Sequence, residues 1–257
     1  MLVGLIAFHS GCTGELSTQL TPPPPADPHA VQDDGVRYWD SLVDPTGSSA
    51  LYAVAGLTGD EVVLAGEAGG VWRWDGVSLT GLGTLTLSDG TAPALNGLWA
   101  HKDEQGILIY AVGEHGAIFC HDRPGAITLE AFELQDTSTA AAFYGVIGFS
   151  RDDVWAVGDG GVYHFDGVEW ARDTSVPGSS RLAGVWGTGP DDLYAVGPAG
   201  EGGSTLLHRD AAGWSRISLG LSIDLHAVWG TGAGPVFVVG QQGTVVRFDG
   251  SSWTVQD

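Results

Sequence analysis

Short apolar segments bounded by glycine or aspartate recur along this chain from Leu51 onward. Each repeat holds four such segments, rich in valine, aromatic and β-branched residues. Short apolar runs with turn residues at both ends are typical of β-strands rather than of helices. The first segment of the repeat occurs at Leu51–Gly56, Leu95–Ala100, Phe143–Gly148, Leu182–Gly187 and Leu225–Gly230. Successive copies begin 39 to 48 residues apart.

The other three segments repeat in step with the first. The second segment ends in glycine, as in Tyr194–Gly197, the third ends in aspartate and the fourth carries a tryptophan. Asp166-Gly167 and Asp249-Gly250 predict hairpin turns, with positive φ expected at both central residues. A period of about 40–45 residues with four antiparallel strands is typical of a β-propeller blade. We therefore predict an all-β protein, a β-propeller of about five four-stranded blades, at approximately 49–91, 92–139, 140–179, 180–222 and 223–257.

One stretch before the first blade looks like a fourth strand without its three partners. Residues 35–42 resemble the fourth segment that follows Asp166-Gly167, yet the last blade already has a fourth strand around Trp253. The extra strand either caps an edge, or the ring needs a sixth blade that this chain lacks. We expect a five-bladed ring, and the alternative is an open or incomplete propeller that closes with a partner chain.

The residues before the repeats have the features of an exported, lipid-anchored protein. The apolar run Leu2–Phe8 is too short to span a bilayer, which takes about 20 residues, but suits a short secretion signal. Gly11 directly before Cys12 resembles the bacterial lipobox, although His9 stands where that pattern has an aliphatic residue. The resemblance implies that Cys12 becomes the lipidated first residue of the mature protein.

A proline-rich stretch follows the cysteine. Four consecutive prolines at 22–25 favour an extended polyproline II spacer. We predict a signal peptide at 1–11, a lipidated cysteine with its tether at 12–33 and the propeller at 34–257. Such a protein would lie in the cell envelope, as an outer-membrane or cell-surface lipoprotein.

The charge balance excludes two classes of partner. The chain has 10 Lys and Arg against 31 Asp and Glu, a net charge of −21. Binding to nucleic acid and to an anionic membrane surface both depend on clustered Lys and Arg, so we predict neither. Contact with the membrane is expected through the lipid anchor only.

The repeat resembles that of the secreted bacterial β-propeller lipoproteins that are abundant in myxobacteria and their relatives. Val185-Trp186-Gly187, Asp192–Gly197 and Phe248–Trp253 carry this resemblance, which covers residues 34–257. The repeat is more distantly similar to the Asp-box (BNR) repeat of the sialidase-like propellers. The resemblance implies a propeller but no activity, because in these families the motif forms the turn between the third and fourth strands.

No residue pattern predicts a catalytic centre. Sialidase-like chemistry needs three arginines that converge on a carboxylate, and no arginine here follows an inner strand in a distinctive motif. Cys120 lies in the middle of a predicted strand with no obvious base, so we expect a buried packing thiol. With Cys12 lipidated, Cys120 would have no disulfide partner.

No metal or cofactor is predicted either. His164 and His208 occupy one repeat position, and we expect both to be half-exposed strand residues. Asp152-Asp153 and Asp191-Asp192 precede the second strand of their repeats, where aspartate favours a turn. Their spacing does not match a calcium-binding loop.

Trp99, Trp186 and Trp229 are the candidate binding residues. They share one position at the end of the innermost strand, where they would ring a mouth of the central channel and stack on a glycan. A large apolar residue in each blade is equally what packing between blades requires. Irregular loops on the rigid scaffold, at 79–95, 102–106, 128–142 and 198–204, are the other candidates for binding.

These features predict a non-catalytic, extracytoplasmic binding or scaffolding lipoprotein that holds a protein or a glycan in its propeller loops. The alternative is a hydrolase or lyase that acts on a polysaccharide at the central channel, with two carboxylates about 5–10 Å apart. A third class, an assembly factor for an envelope complex, requires an exposed apolar patch well above about 400 Å².

Overall fold

The computed structural model describes residues 49–178, 181–232 and 234–256. Within these ranges the chain forms five antiparallel sheets of four strands, and neighbouring strands in each sheet are consecutive in sequence. The strands are β1 (Leu51–Thr58), β2 (Glu61–Gly66), β3 (Gly70–Trp74), β4 (Leu79–Thr84), β5 (Leu95–Asp103), β6 (Gly106–Gly113), β7 (Ile118–Arg123), β8 (Phe132–Leu134), β9 (Phe143–Ser150), β10 (Asp153–Gly158), β11 (Gly161–Phe165), β12 (Trp170–Arg172), β13 (Gly184–Gly189), β14 (Asp192–Gly200), β15 (Gly203–Asp210), β16 (Gly213–Arg216), β17 (Leu225–Gly230), β18 (Val236–Gly240), β19 (Val245–Phe248) and β20 (Trp253–Gln256). We call these sheets unit 1 (β1–β4), unit 2 (β5–β8), unit 3 (β9–β12), unit 4 (β13–β16) and unit 5 (β17–β20).

The predicted all-β architecture with five four-stranded units is confirmed within the described residues. The signal peptide predicted at 1–11, the tether with Cys12 at 12–33 and the extra strand at 35–42 lie outside the described residues. The second strand of each unit is apolar without alternation, as in β6, where Ile107 to Val112 are all buried. Both faces of a sheet are therefore covered when a unit lies between two others.

Consecutive units pack through their innermost strands. β1 contacts β5, β5 contacts β9, β9 contacts β13, and β13 contacts β17. No comparable contact joins β17 back to β1 in the described chain, so the five units form an open array and not the closed ring that we expected. The physical reason is that every unit, unit 5 included, takes all four strands from its own segment, so no sheet within the described residues combines strands from the two ends of the array.

An indole of one unit lies directly on a glycine of the next at two of these contacts. A Cβ at Gly148 of β9 would lie 2.6 Å from the ring of Trp99 in unit 2. A Cβ at Gly230 of β17 would lie 2.4 Å from the ring of Trp186 in unit 4. Only glycine leaves room for the indole at these two positions, so each tryptophan–glycine pair forms a specific contact between units.

Aspartate side chains close the turns between the third and fourth strands. Asp166 Oδ1 accepts hydrogen bonds from the N–H groups of Val168 (2.9 Å) and Glu169 (3.0 Å), which lower the pKa of Asp166. Gly167 has φ of 91°, while Asp166 has no positive φ, so the predicted turn with two such residues is wrong. The connection has four residues, and the carboxylate satisfies its N–H groups as an Asx turn.

Candidate functional site

The structure places the three candidate tryptophans in different surroundings. Trp99 lies on Gly148 and stacks with His101 at 5.9 Å between ring centroids. Trp186 lies on the next unit and stacks with Tyr194 at 6.3 Å. Trp229 belongs to the last unit and is 56% exposed. Packing between units thus accounts for two of the three, and glycan binding at this position stays a prediction.

The repeat-equivalent histidines pair with aspartates on the neighbouring strand. His164 Nε2 lies 2.8 Å from Asp153 Oδ1, and His208 Nε2 lies 3.0 Å from Asp192 Oδ1. Glu61 occupies the matching position in unit 1, where its carboxylate pairs with an arginine on β3. These pairs join the second strand of a unit to its third. Within residues 49–178, 181–232 and 234–256, no cluster of three or more His, Cys, Asp and Glu could hold a metal ion.

A cavity of about 520 Å³ opens beside unit 2, between the connection that precedes this unit and the connection that follows it. It lies on the connection face, the side of the array with the segments that join one unit to the next. Two of the irregular loops singled out in the sequence, 79–95 and 128–142, supply most of its wall. The lining residues are Leu87, Ser88, Asp89, His115, Gly116, Leu134, Gln135, Asp136, Thr137, Ser138 and Thr139.

Hydrogen bonds within the wall hold the shape of the cavity. Thr137 is buried, and its hydroxyl donates to the carbonyl oxygen of Gly116 at 3.1 Å. His115 and Ser138 have φ of 57° and 51°, a conformation uncommon for residues with side chains. The N–H of Ser138 donates to Asp136 Oδ1 at 2.9 Å, which fixes this loop from within. These bonds fix the loop around Thr137 against the turn at Gly116.

The cavity presents two carboxylates and an imidazole to solvent. The N–H of Thr91 donates to Asp89 Oδ1 at 2.8 Å, and this bond lowers the pKa of Asp89, with a smaller contribution from His115. Asp89 is consequently ionised at neutral pH. The hydrogen bonds from the loop N–H groups go to Oδ1 of Asp89 and of Asp136. Oδ2 of each carboxylate can accept a hydrogen bond from a ligand.

A second polar cluster on the connection face is satisfied internally. Tyr144 donates its hydroxyl to Asp159 Oδ2 at 3.1 Å, and burial raises the pKa of Tyr144 with a further contribution from this bond. Arg181 Nε lies 3.4 Å from Asp159, and its guanidinium stands 4.9 Å from the ring centroid of Tyr144. Because each group has a partner within the cluster, its role is to join unit 3 to the segment before unit 4.

Cys120 lies half-buried on β7, and burial raises the pKa of its thiol. Its neighbour His121 is fully buried, with Nδ1 3.2 Å from the carbonyl oxygen of Ile107. The thiol at neutral pH is therefore protonated and a poor nucleophile.

The described residues contain no helix long and apolar enough to cross a membrane.

Comparison with known proteins supports the fold. No protein-family model matches the chain, and no curated protein matches it. A structure of YCF48 bound to D1 peptide is similar at 16% identity, covering 84% of this chain and 69% of that chain, with a TM-score of 0.60. The WD40 β-propeller domain of Doa1 is similar at 10% identity, covering 82% and 68%, with a TM-score of 0.61. An ancestral GH74 enzyme is similar at 14% identity, covering 80% and 32%, with a TM-score of 0.57.

Likeness at these identities shows the class of fold and nothing finer. The chain has the fold of a β-propeller, built here from five units. The predicted ties to the myxobacterial lipoprotein repeat and to the Asp-box repeat stay predictions.

Proposed function

We propose that this chain is a non-catalytic binding module, which holds a segment of a partner protein in the cavity beside unit 2. The observation that carries this proposal is the cavity itself, which two irregular loops build on an otherwise repetitive scaffold. A propeller with bound peptide among its structural neighbours supports this choice of ligand.

The lining of the cavity favours a peptide with a basic side chain. Asp89 and Asp136 offer carboxylate oxygens to an ammonium or guanidinium group, and Leu87 and Leu134 offer an apolar surface for its aliphatic stem. No Trp, Tyr or Phe lines the cavity, so it has no ring on which a sugar could stack. The chemistry of the wall therefore matches protein better than glycan.

The pKa shifts do not favour the polysaccharide-acting enzyme. A general acid in such an enzyme needs a carboxyl group whose pKa is raised. The carboxyl groups of the described residues whose pKa values shift, Asp89 among them, all shift downward. Each shift stabilises the carboxylate, which suits binding of a cation.

Selection from a displayed random-peptide library on the full chain tests the proposal. Asp89→Asn combined with Asp136→Asn removes both charges, while each Asn keeps an oxygen for the loop N–H group. Asp210→Asn, at an exposed turn outside the cavity, is the matched control. We expect peptides rich in Lys and Arg that bind the wild type and the control alike and the double variant at least about tenfold more weakly.

Two outcomes would overturn the proposal. One is that no peptide is enriched over a blank surface. The other is that the enriched peptides bind the double variant as tightly as the wild type. Binding of a glycan in the cavity, measured on an array, would replace protein with glycan as the ligand class.

We also infer that the module is anchored to the cell envelope through Cys12, as an extracytoplasmic lipoprotein of the repeat class described above. The apolar run, the Gly11-Cys12 pair and the proline-rich spacer support this inference. Globomycin blocks removal of lipoprotein signal peptides, so treated cells should accumulate a larger precursor. An unchanged size in treated cells, or full processing of a Cys12→Ser variant, would count against the anchor.

A further inference from the structure

The outer face of unit 5 exposes positions that the other units bury fully or in part. Val239 on β18 is 40% exposed, whereas Val112, Val157 and Val196 at the same repeat position are fully buried. Trp229 on β17 projects from this face beside Val239 and is 56% exposed. In units 2 to 4 the next unit covers this surface, and no sixth unit follows in the described chain. Within the described residues, unit 5 therefore has an uncovered packing face.

The opposite face of unit 1 exposes the complementary positions. Val54 on β1 is 46% exposed, whereas Val146 and Val228 at the same repeat position are 8% and 7% exposed. Gly56 on β1 corresponds to Gly148 and Gly230, yet a Cβ at Gly56 would meet no atom closer than 4.0 Å. Among the described residues, no indole lies on this glycine.

We propose that the outer face of unit 5 is an interaction surface for unit 1 of a second copy of this chain, with Trp229 of one copy lying on Gly56 of the other. The contact would repeat the one that the chain already makes between Trp99 and Gly148 and between Trp186 and Gly230. A second copy is the favoured occupant because the two end faces are the two halves of this one contact. Two unlike faces that meet in this way build a head-to-tail assembly.

Charge opposes this association over long range and permits it at short range. The net charge of −21 makes two copies repel each other, and physiological salt screens this repulsion beyond about 8 Å. The exposed side chains at the contact, Trp229, Val239 and Val54, are uncharged. The one ionised residue on β18 and β19 is Arg247, opposite Phe237, and as a cation it does not add to the repulsion.

Sedimentation velocity of the full chain, at physiological salt and with a reductant, tests the proposal over about 1 to 100 µM. We expect species heavier than the 26.6 kDa monomer, with a fraction that rises with concentration. Trp229→Ala removes the indole and should weaken association at least about tenfold, as loss of a central tryptophan does at other interfaces. Val168→Asp changes a side chain that is 86% exposed elsewhere, and it should leave association unchanged.

Gly56→Leu blocks the other half of the contact. The described residues leave open space around Gly56, so the leucine side chain fits in the monomer. At the equivalent glycines the indole lies only 2.4–2.6 Å from where a Cβ would stand, so an indole placed in the same way on residue 56 would collide with the leucine. The variant should fold, by circular dichroism, and stay monomeric. A mixture of Trp229→Ala and Gly56→Leu retains one intact contact, so it should form a pair of copies that neither variant forms alone.

The proposal is overturned if the wild type stays monomeric at the highest concentration. It is also overturned if both variants associate like the wild type, or if their mixture forms no pair. Should Gly56→Leu fail to fold, Val54→Asp on the unit 1 face replaces it, both in the comparison with Val168→Asp and in the mixture with Trp229→Ala. These measurements use no ligand, so their outcome is independent of peptide binding in the cavity.

Discussion

Gly148→Ala should destabilise the chain because the added methyl group collides with Trp99. The Cβ would lie 2.6 Å from two ring carbons, while carbon atoms in contact are about 3.5–4.0 Å apart. The indole would have to move by about 1 Å, out of a contact between two units. Overpacking of this kind costs about 1–3 kcal/mol.

Gly189→Ala is the matched control. Gly189 also lies near the end of an innermost strand, and a Cβ there would meet nothing within 4 Å. The control should be neutral or more stable by about 0.4–1 kcal/mol, since alanine restricts the unfolded chain. Urea unfolding followed by circular dichroism should give a lower midpoint for Gly148→Ala than for the control, with the same slope.

A double-mutant cycle decides whether the collision is the cause. In a Trp99→Ala background the indole is absent, so Gly148→Ala should lose most of its effect, and the two changes should couple by about 1–3 kcal/mol. Additive effects would refute the contact between this indole and this glycine, and equal midpoints for Gly148→Ala and Gly189→Ala would refute it directly.

Three further predictions concern charge and reactivity. The pKa of Asp249 lies below its ordinary value of 3.8, because N–H groups of the turn donate hydrogen bonds to the carboxylate. Asp249 therefore stabilises the fold above pH 3.8, and this contribution is lost as the pH falls through the pKa of the folded state. The urea midpoint should fall in acid, and it should fall less in Asp249→Asn. Arg151→Gln should cost about 1 kcal/mol at low salt and less at high salt, because the guanidinium bridges two carboxylates of unit 2, whereas Arg172→Gln should be neutral in the same titration. In a Cys12→Ser background, Cys120 should react slowly with a thiol reagent at neutral pH and rapidly once urea unfolds the chain; equal rates would refute its burial.

The repeat was predictable because its signals are local. Each unit carries its own strand segments and its own turn aspartate, so the number of units follows from counting. The turn geometry at Asp166-Gly167 could not be predicted in the same way. The carboxylate of Asp166 accepts hydrogen bonds from N–H groups of the following residues, so the turn does not need a second residue with positive φ. The pairing of Asp153 with His164 is visible in sequence only once the register of β10 on β11 is known.

Closure of the array could not be predicted from any single residue. It depends on the angle between consecutive units, which accumulates over four contacts, and a small change in each is enough to open the ring. The cavity was equally hidden, because Asp89 and Asp136 lie far apart in the chain and belong to no repeated pattern. The sequence located the two loops as departures from the repeat, but it did not show that they meet beside unit 2.

Exposure therefore has two meanings in a repeat protein, depending on where it occurs. At a repeated position such as Val239, where the other units bury the residue, exposure marks a packing face that no described unit covers. At an irregular loop such as the one around Asp136, no other unit sets an expectation, and the exposed loop with its internal hydrogen bond belongs to the cavity that we propose for a partner protein. The two surfaces are separable on this basis: Trp229→Ala should weaken association at least about tenfold and leave peptide binding intact, while the paired change at Asp89 and Asp136 should do the reverse. Loss of both properties in either variant would show that the end face and the cavity act as one site.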